Sequence, residues 1–209
     1  MEFADHGCLQ DAVERGWLRD MQYGGQGKPN MSAILQTAYE VASALNYLHS
    51  HGVVHGDLSA WNVLLTSQGT PASGGHRGFI AKVADFGLSR CLEEVMAIQT
   101  RTYGTITHQP PETLSQGIVS RETDTYSLGV LMWQMYTGKR PWHGMTHGQI
   151  IMTVVEGSKS LEFPPETPEG FMALAMACMA PAASDRPNMQ TVCKVLQALR
   201  NALPSPKGR

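Results

Sequence analysis

The sequence lacks the long apolar run that a membrane-spanning helix requires. Its longest apolar stretch, residues 171–180, has about half the roughly 20 residues that a bilayer crossing takes. We therefore expect a buried helix there and no membrane span. The first residues include Glu2 and Asp5, with no basic flank before an apolar segment, so the sequence predicts no signal peptide.

Cysteine is scarce as well. The four cysteines lie far apart and include no CxxC pair: Cys8, Cys91, Cys178 and Cys193. Such spacing excludes a compact disulfide framework and is typical of free thiols in a reducing compartment. We therefore expect a cytoplasmic protein.

An excess of charge of either sign is also absent. Sixteen Lys and Arg residues against 18 Asp and Glu residues leave a net charge of −2. This balance gives no electrostatic reason to expect nucleic acid or an acidic membrane as a partner. The length of 209 residues suits one domain with a sizeable core or two small ones.

Helical periodicity dominates what is present. A long amphipathic helix is predicted over Met31–Ser50, because apolar residues recur there at helical spacing. Helices are also predicted at residues 11–20, 122–137, 146–155, 169–179 and 188–199, and short strands at 53–54, 62–65 and 79–84. Residues 66–78 are expected to form a surface loop, and residues 88–109 a long functional loop. The predicted fold class is mainly α with a few short β-strands.

The most informative segment is residues 55–62, which read His-Gly-Asp-Leu-Ser-Ala-Trp-Asn. It resembles the catalytic loop H-x-D-L-x-x-x-N of protein kinases. The resemblance implies that Asp57 accepts the proton of the substrate hydroxyl and that Asn62 binds magnesium. The spacing suits this chemistry, since a tight loop that runs into a strand can place both groups around one phosphoryl group.

Further motifs follow in the order that the kinase family shows. Residues 85–87 read Asp-Phe-Gly, which implies Asp85 as a second magnesium ligand. Residues 104–112, Gly-Thr-Ile-Thr-His-Gln-Pro-Pro-Glu, resemble the segment that ends in A-P-E. Residues 124–129 and 185–187 resemble the D-x-x-S-x-G and R-P motifs. The resemblance implies a buried Glu112–Arg186 ion pair, and it implies that Asp124 braces the backbone near His55.

The start of the chain, residues 1–9, is similar to the hinge between the two kinase lobes. On that match the backbone of Glu2 and Ala4 would hydrogen-bond adenine, and Leu64 would form the floor under the base. A Gly-rich loop, a strand lysine and a helix glutamate cannot be placed in the 209 residues. The expectation is a kinase large (C-terminal) lobe over residues 1–200, truncated before its hinge, with a catalytic loop at 55–62, an activation segment at 85–112 and a disordered tail at 201–209.

The resemblance implies ATP and Mg²⁺ as cofactors and a protein substrate, and the sequence leaves the oligomeric state open. The Gly-Thr pair at 104–105 is typical of serine/threonine kinases, in which the hydroxyl of a residue such as Thr105 touches the catalytic Asp. This similarity extends to the tyrosine-kinase-like group of serine/threonine kinases.

Three positions depart from the family pattern. Gly56 replaces the Arg that grips a phosphorylated activation loop, Ser59 replaces a phosphoryl-contacting Lys, and Trp61 replaces an Arg that many tyrosine kinases carry. Losing one preorganised cation could cost about 2.7–4 kcal/mol of transition-state stabilisation. Two interpretations therefore stand: a serine/threonine kinase, or a catalytically weak or inactive pseudokinase-like scaffold that binds protein partners.

Overall fold

A computed structural model describes residues 4–20, 27–67, 77–91, 97–99 and 105–204. The described residues form seven α-helices, in chain order: α1 (Leu9–Glu14), α2 (Met31–Ser50), α3 (Pro111–Gln116), α4 (Arg121–Thr137), α5 (His147–Glu156), α6 (Glu169–Cys178) and α7 (Met189–Asn201). They also form short strands: β1 (Arg19–Asp20), β2 (Lys28–Pro29), β3 (Val53–Val54), β4 (Val63–Ser67), β5 (Phe79–Val83), β6 (Arg90–Cys91), β7 (Ala97–Gln99) and β8 (Ile118–Ser120). The prediction of a mainly α fold with a few short strands is confirmed.

The longest helix, α2, has the bounds that its apolar spacing predicts. Asn30 caps it by accepting a hydrogen bond from the Ala33 backbone N–H at 2.9 Å. One face of α2 is buried and packs against α4, α7 and β5. Helix propensity alone rarely stabilises a helix in water, so this buried face supplies most of the stability of α2.

Helix α4 runs through the centre of the molecule and is buried from Thr123 to Tyr136. A helix that is buried all round packs against neighbours on every side rather than forming a surface. At Gly129 an added Cβ would lie 2.6 Å from Met179 Cγ and 2.9 Å from the Ala175 carbonyl oxygen, so this glycine permits the close approach of α4 and α6. The central position of α4 explains how its polar residues can reach several loops at once.

Strands β4 and β5 form an antiparallel ladder in which Val63 faces Val83. In an antiparallel pair the start of one strand lies beside the end of the other. Asn62, just before β4, therefore lies next to Ala84, just after β5, and the Ala84 N–H donates to the Asn62 carbonyl at 2.9 Å. This hairpin brings two sequence motifs, 23 positions apart from Asn62 to Asp85, to one place.

The structure differs from the sequence prediction in three segments. Residues 11–20 are not one helix: α1 ends at Glu14, Gly16 adopts a left-handed φ of 75°, and β1 follows and pairs with β2. Residues 88–109 are not wholly a loop, because β6 pairs with β3 and β7 pairs with β8. Helix α3 was not predicted. Its signals are local: a proline at the first helical position and Gly117 at φ 69° after its end.

Two other expectations bear on the ends of the chain and on membranes. Helix α7 ends at Asn201, two residues beyond the predicted helix end at 199 and one beyond the predicted lobe boundary at 200, and Leu203 still packs against the core. Residues 205–209 of the predicted tail lie outside the described residues. Among the helices that the structure describes, none is long and apolar enough to cross a bilayer.

Candidate active site

Asp124, near the start of α4, holds the backbone of the segment 55–62. Its side chain is fully buried and accepts hydrogen bonds from the backbone N–H groups of His55, at 2.9 Å, and Gly56, at 2.8 Å. The predicted bracing of the backbone near His55 is therefore confirmed. A third partner is His49 at the end of α2, whose Nε2 lies 2.8 Å from Asp124 Oδ2. His49 is buried in the last turn of α2, and its packing against α4 decides this partner.

The buried ring of His55 connects this segment to Ala84. Its Nε2 lies 2.9 Å from the Ala84 carbonyl oxygen, and its Nδ1 accepts from the Asp57 backbone N–H at 3.2 Å. A carbonyl can only accept and an amide N–H can only donate, so the ring is the neutral tautomer with hydrogen on Nε2. His55 thereby orients the backbone of Asp57 relative to the end of β5.

The carboxylate of Asp57 is held on both oxygens. The Thr105 backbone N–H donates to Oδ1 at 2.5 Å, and Asn62 Nδ2 donates to Oδ2 at 3.2 Å and to the Asp57 carbonyl at 2.8 Å. The contact from Thr105 is made by its amide, whereas the family resemblance implied a contact by its hydroxyl. The fold thus brings Thr105 to Asp57 and Asn62. These two residues precede the β4–β5 hairpin, whereas Thr105 follows it much later in the chain.

Asn62 and Asp85 offer the oxygen atoms that a magnesium ion prefers. The amide nitrogen of Asn62 is used by Asp57, which leaves its Oδ1 available. Asp85 is exposed, adopts a left-handed φ of 61°, and accepts one bond from the Gly87 N–H on Oδ1, and within the described part of the chain its Oδ2 remains available. The donor set therefore fits Mg²⁺. The assignment of both residues as metal ligands stays a prediction.

The predicted adenine contacts fall on the segment before α1 and on β4. The Leu65 N–H donates to the Gly7 carbonyl at 2.8 Å, and the His6 N–H donates to the Leu65 carbonyl at 3.1 Å, so this segment pairs with β4. Ala4 begins the turn that leads into it, and Leu64 bridges to Cys8. Ala4 and Leu64 thus lie on adjacent segments, while Glu2 lies outside the described residues. Their contact with adenine stays a prediction.

The predicted Glu112–Arg186 ion pair is confirmed. Arg186 Nη1 and Nη2 donate to the two carboxylate oxygens of Glu112 at 2.6 and 2.9 Å. The remaining donors reach the carbonyl oxygens of Ala180, Pro181 and Glu122. All five guanidinium N–H groups are therefore satisfied, which is what a buried arginine requires. The pair ties α3, in which the segment 104–112 ends, to the turn before α7.

His108 in the same segment begins a chain of hydrogen bonds through the protein. Its Nε2 lies 3.2 Å from Gln134 Oε1, Gln134 Nε2 donates to Gln10 Oε1 at 2.6 Å, and Gln10 Nε2 donates to Glu14 at 2.5 Å. Burial lowers the pKa of His108 to about 4, and the hydrogen bond to Gln134 opposes this shift. At neutral pH the histidine is therefore uncharged. Sequence reasoning missed this chain, since no local pattern marks its members.

The positions that depart from the family pattern have distinct surroundings. Gly56 has a left-handed φ of 75°, and its carbonyl accepts from Gln109 Nε2 at 3.1 Å. Ser59 is fully buried, and its hydroxyl has no hydrogen-bond partner among the described residues. Trp61 is 53% exposed. Ser59 thus cannot extend toward a phosphoryl group in the way that a lysine would.

Phe86 does not pack into the core. It is 51% exposed and lies against the His55 ring, with 5.4 Å between the ring centroids. An exposed aromatic ring beside a buried histidine leaves an apolar surface at the edge of the site.

Comparison with known sequences identifies protein kinases as relatives of this chain. A family model described as protein tyrosine and serine/threonine kinase matches residues 1–196. The chain is 28% identical over 195 residues to a probable LIM domain-containing serine/threonine-protein kinase of Dictyostelium discoideum, which covers 93% of the chain and 28% of that protein.

Two further relatives are named as a serine/threonine/tyrosine-protein kinase and as a receptor. The chain is 30% identical over 168 residues to a serine/threonine/tyrosine-protein kinase of Arabidopsis thaliana, covering 80% of the chain and 40% of the relative. It is 31% identical over 212 residues to the high affinity nerve growth factor receptor of Rattus norvegicus, covering 98% of the chain and 25% of the relative. The chain thus spans well under half the length of these relatives. With the ordered motifs and the family match together, the chain belongs to the protein tyrosine and serine/threonine kinase family.

Proposed function

We propose that this chain is the catalytic and substrate-binding lobe of a serine/threonine protein kinase that uses ATP. The observation that carries the proposal is the anchoring of Asp57, whose two carboxylate oxygens accept from Thr105 and Asn62. A carboxylate held on both sides has a defined direction for its remaining lone pairs. Catalysis of phosphoryl transfer depends mainly on such positioning.

Asp57 would accept the proton of the substrate hydroxyl. As that proton moves to a carboxylate oxygen, the hydroxyl oxygen forms a bond to the γ-phosphorus of ATP, and the bond from this phosphorus to the bridging oxygen of ADP breaks. A carboxylate oxygen has two acceptor sites, so one hydrogen bond on each oxygen leaves room for the substrate proton. General-base catalysis of this kind contributes about 10²–10⁴-fold to the rate.

Asn62 Oδ1 and Asp85 Oδ2 would hold Mg²⁺, and Ala4 and Leu64 would border the adenine of ATP. When bound, the metal would neutralise charge on the phosphates. The hydrogen bond from the Ala84 backbone N–H to the Asn62 carbonyl, 2.9 Å long, keeps Asn62 and Asp85 next to each other. The His55 ring supports the same arrangement. Its Nδ1 accepts a hydrogen bond from the Asp57 backbone N–H, and its Nε2 donates one to the Ala84 carbonyl.

Serine or threonine is the substrate residue that we favour. The Gly-Thr pair at 104–105 supports this choice, and the Thr105 amide lies directly on Asp57. The segment from Thr105 to Glu112 would then form the platform for the substrate. The ion pair of Glu112 with Arg186 anchors the far end of that platform.

The test is phosphate transfer from labelled ATP to peptides that differ only in Ser, Thr or Tyr, using the longest natural polypeptide that contains these residues. Asp57→Asn should lower the transfer rate by about 10²–10⁴-fold. The matched control Glu169→Gln removes an exposed carboxylate of α6 and should leave the rate unchanged. Equal rates in the Asp57→Asn and Glu169→Gln variants would contradict the role of Asp57, and a preference for Tyr would contradict the specificity.

A partner-binding scaffold without phosphotransfer is the second candidate. The buried, unpaired hydroxyl of Ser59 and the glycine at position 56 favour it, because neither can contact phosphate as a cation would. Calorimetric titration of the same polypeptide with Mg-ATP separates the two. Absence of binding together with absence of transfer supports the scaffold, whereas metal-dependent binding that Asp85→Asn weakens supports the kinase.

A further inference from the structure

A cavity of about 1150 Å³ has a lining that includes neither Asn62 nor Asp85. Its wall comes from the end of α1, from α4 and the segment that joins it to α5, and from the segment after α5. None of the residues assigned above to catalysis, metal or adenine lines it. The volume exceeds the range of about 300–1,000 Å³ that is usual for small-ligand pockets. Most of the wall residues are exposed, so the cavity is an open groove.

The apolar part of the wall consists of Trp133, Trp142, Met145 and Leu161. Both indole N–H groups are already used: Trp133 donates to the Glu162 carbonyl at 2.8 Å, and Trp142 donates to the Thr107 carbonyl at 3.2 Å. What these two side chains offer to a ligand is therefore ring carbon surface, mainly that of the half-buried Trp142, since Trp133 is only 7% exposed. Such a wall suits a large apolar side chain of the ligand.

The polar rim carries more positive than negative charge. Lys139 and Lys159 are exposed, and neither ammonium group is paired with any residue that the structure describes. Arg140 is neutralised by Glu14 at 2.6 Å, and the hydrogen bonds from Arg140 and Gln10 lower the pKa of Glu14. Glu162 is the other carboxylate of the rim. Two free lysines against one free carboxylate favour an acidic ligand, on a chain whose overall charge is −2.

The groove is joined to the segment that precedes α3. Trp142 has a left-handed φ of 57°, a conformation that is a genuine outlier for a bulky residue, and its indole bonds the backbone of Thr107. The same ring and Ile106 both pack against an apolar cluster that includes Leu114 and Tyr126. A polypeptide that lies across residues 105–112 could therefore continue into the groove.

We propose that this groove binds an acidic segment of a partner protein. One large apolar side chain of that segment packs on Trp133 and Trp142, and neighbouring carboxylates face Lys139 and Lys159. The shape is too open to enclose a small molecule, and its charge opposes that of a basic segment. Binding at this groove does not depend on phosphotransfer at Asp57.

The experiment measures fluorescence anisotropy of a labelled peptide, Asp-Glu-Leu-Phe-Glu-Asp, with the full 209-residue chain at low ionic strength. The double variant Lys139→Glu/Lys159→Glu should raise Kd by about tenfold or more, which equals about 1.4 kcal/mol. The control double variant Lys28→Glu/Lys194→Glu alters two exposed lysines outside the groove by the same total charge and should leave Kd within about twofold. All four side chains are exposed, so folding is not expected to change.

Two altered peptides test the ligand chemistry. Asn-Gln-Leu-Phe-Gln-Asn lacks the carboxylates, and Asp-Glu-Ser-Ser-Glu-Asp lacks the apolar anchor; each should bind about tenfold more weakly or worse. Equal losses of affinity in the two double variants would mean non-specific attraction and would overturn the proposal. Unchanged affinity of either altered peptide would overturn it as well, as would the absence of any binding by the acidic apolar peptide.

Discussion

Protonation of His108 should destabilise the folded protein in mildly acidic solution. The side chain is 3% exposed, and its partners are neutral: Nδ1 lies 2.9 Å from the Thr107 hydroxyl and Nε2 lies 3.2 Å from Gln134 Oε1. No charged group among its hydrogen-bond partners can stabilise an imidazolium ion. We therefore expect the folded state to resist protonation that the unfolded chain accepts readily.

The magnitude follows from the two pKa values. The pKa of His108 falls from 6.5 to about 4 through burial, and each pKa unit is worth 1.36 kcal/mol, so the full effect is about 3 kcal/mol. Between these values the unfolded state binds more protons, so the free energy of unfolding rises with pH. This contribution is complete above the unfolded pKa of 6.5 and is lost as the pH falls towards about 4. At about pH 5 the expected loss is about 2 kcal/mol.

The assay is urea unfolding at about pH 7.5 and about pH 5, with the free energy extrapolated to water. His108→Gln retains a donor for Gln134 but cannot titrate. Between the two pH values its free energy of unfolding should therefore fall by about 2 kcal/mol less than that of the wild type. His147→Gln, at an exposed position at the start of α5, serves as the control and should retain the wild-type dependence. Parallel stability curves for the wild type and His108→Gln would refute the reasoning, whatever the absolute stability of the variant.

Two further substitutions test the scaffold of the site by urea unfolding. Glu112→Gln should lower the free energy of unfolding by about 3 kcal/mol, because it leaves the buried charge of Arg186 without its partner. Adding Arg186→Met to the same chain should recover part of this loss. If nothing is recovered, the loss does not come from an unpaired buried charge. Gly56→Ala should cost about 1–2 kcal/mol, since its φ of 75° disfavours any Cβ. Gly148→Ala within α5, where an added Cβ meets nothing within 4 Å, should not lower the free energy of unfolding. Equal losses at both glycines would mean that the left-handed backbone of Gly56 does not cause the loss there.

Local patterns were sufficient for the long helices and for the order of the motifs. Apolar spacing predicted α2 over Met31–Ser50 because a helix that lies against a core must repeat its apolar residues every three or four positions. The pairing of β7 with β8 could not be predicted in this way. Ala97 faces Ser120 across a long stretch of intervening chain, and short strands carry little local signal of their partner.

Partners of individual site residues were predictable only where the family motif names them. The Glu112–Arg186 pair and the role of Asp124 followed from such motifs, and both are confirmed. His49 lies 75 positions from Asp124, and no family motif named above includes it. Thr105 reaches Asp57 through its amide, a choice that depends on the path of the backbone rather than on the type of side chain.

By itself, the sequence determined the mainly helical fold class, the family and the positions of the candidate catalytic and metal-binding residues, because periodicity and motif spacing are local properties of the chain. Only the tertiary structure decided which groups meet. It joined His108 through Gln134 to Gln10, and it assembled the groove of Glu14, Trp142 and Lys159 from three separate segments. Burial and through-space hydrogen bonding depend on packing between segments that are distant in sequence, and a linear pattern does not record them.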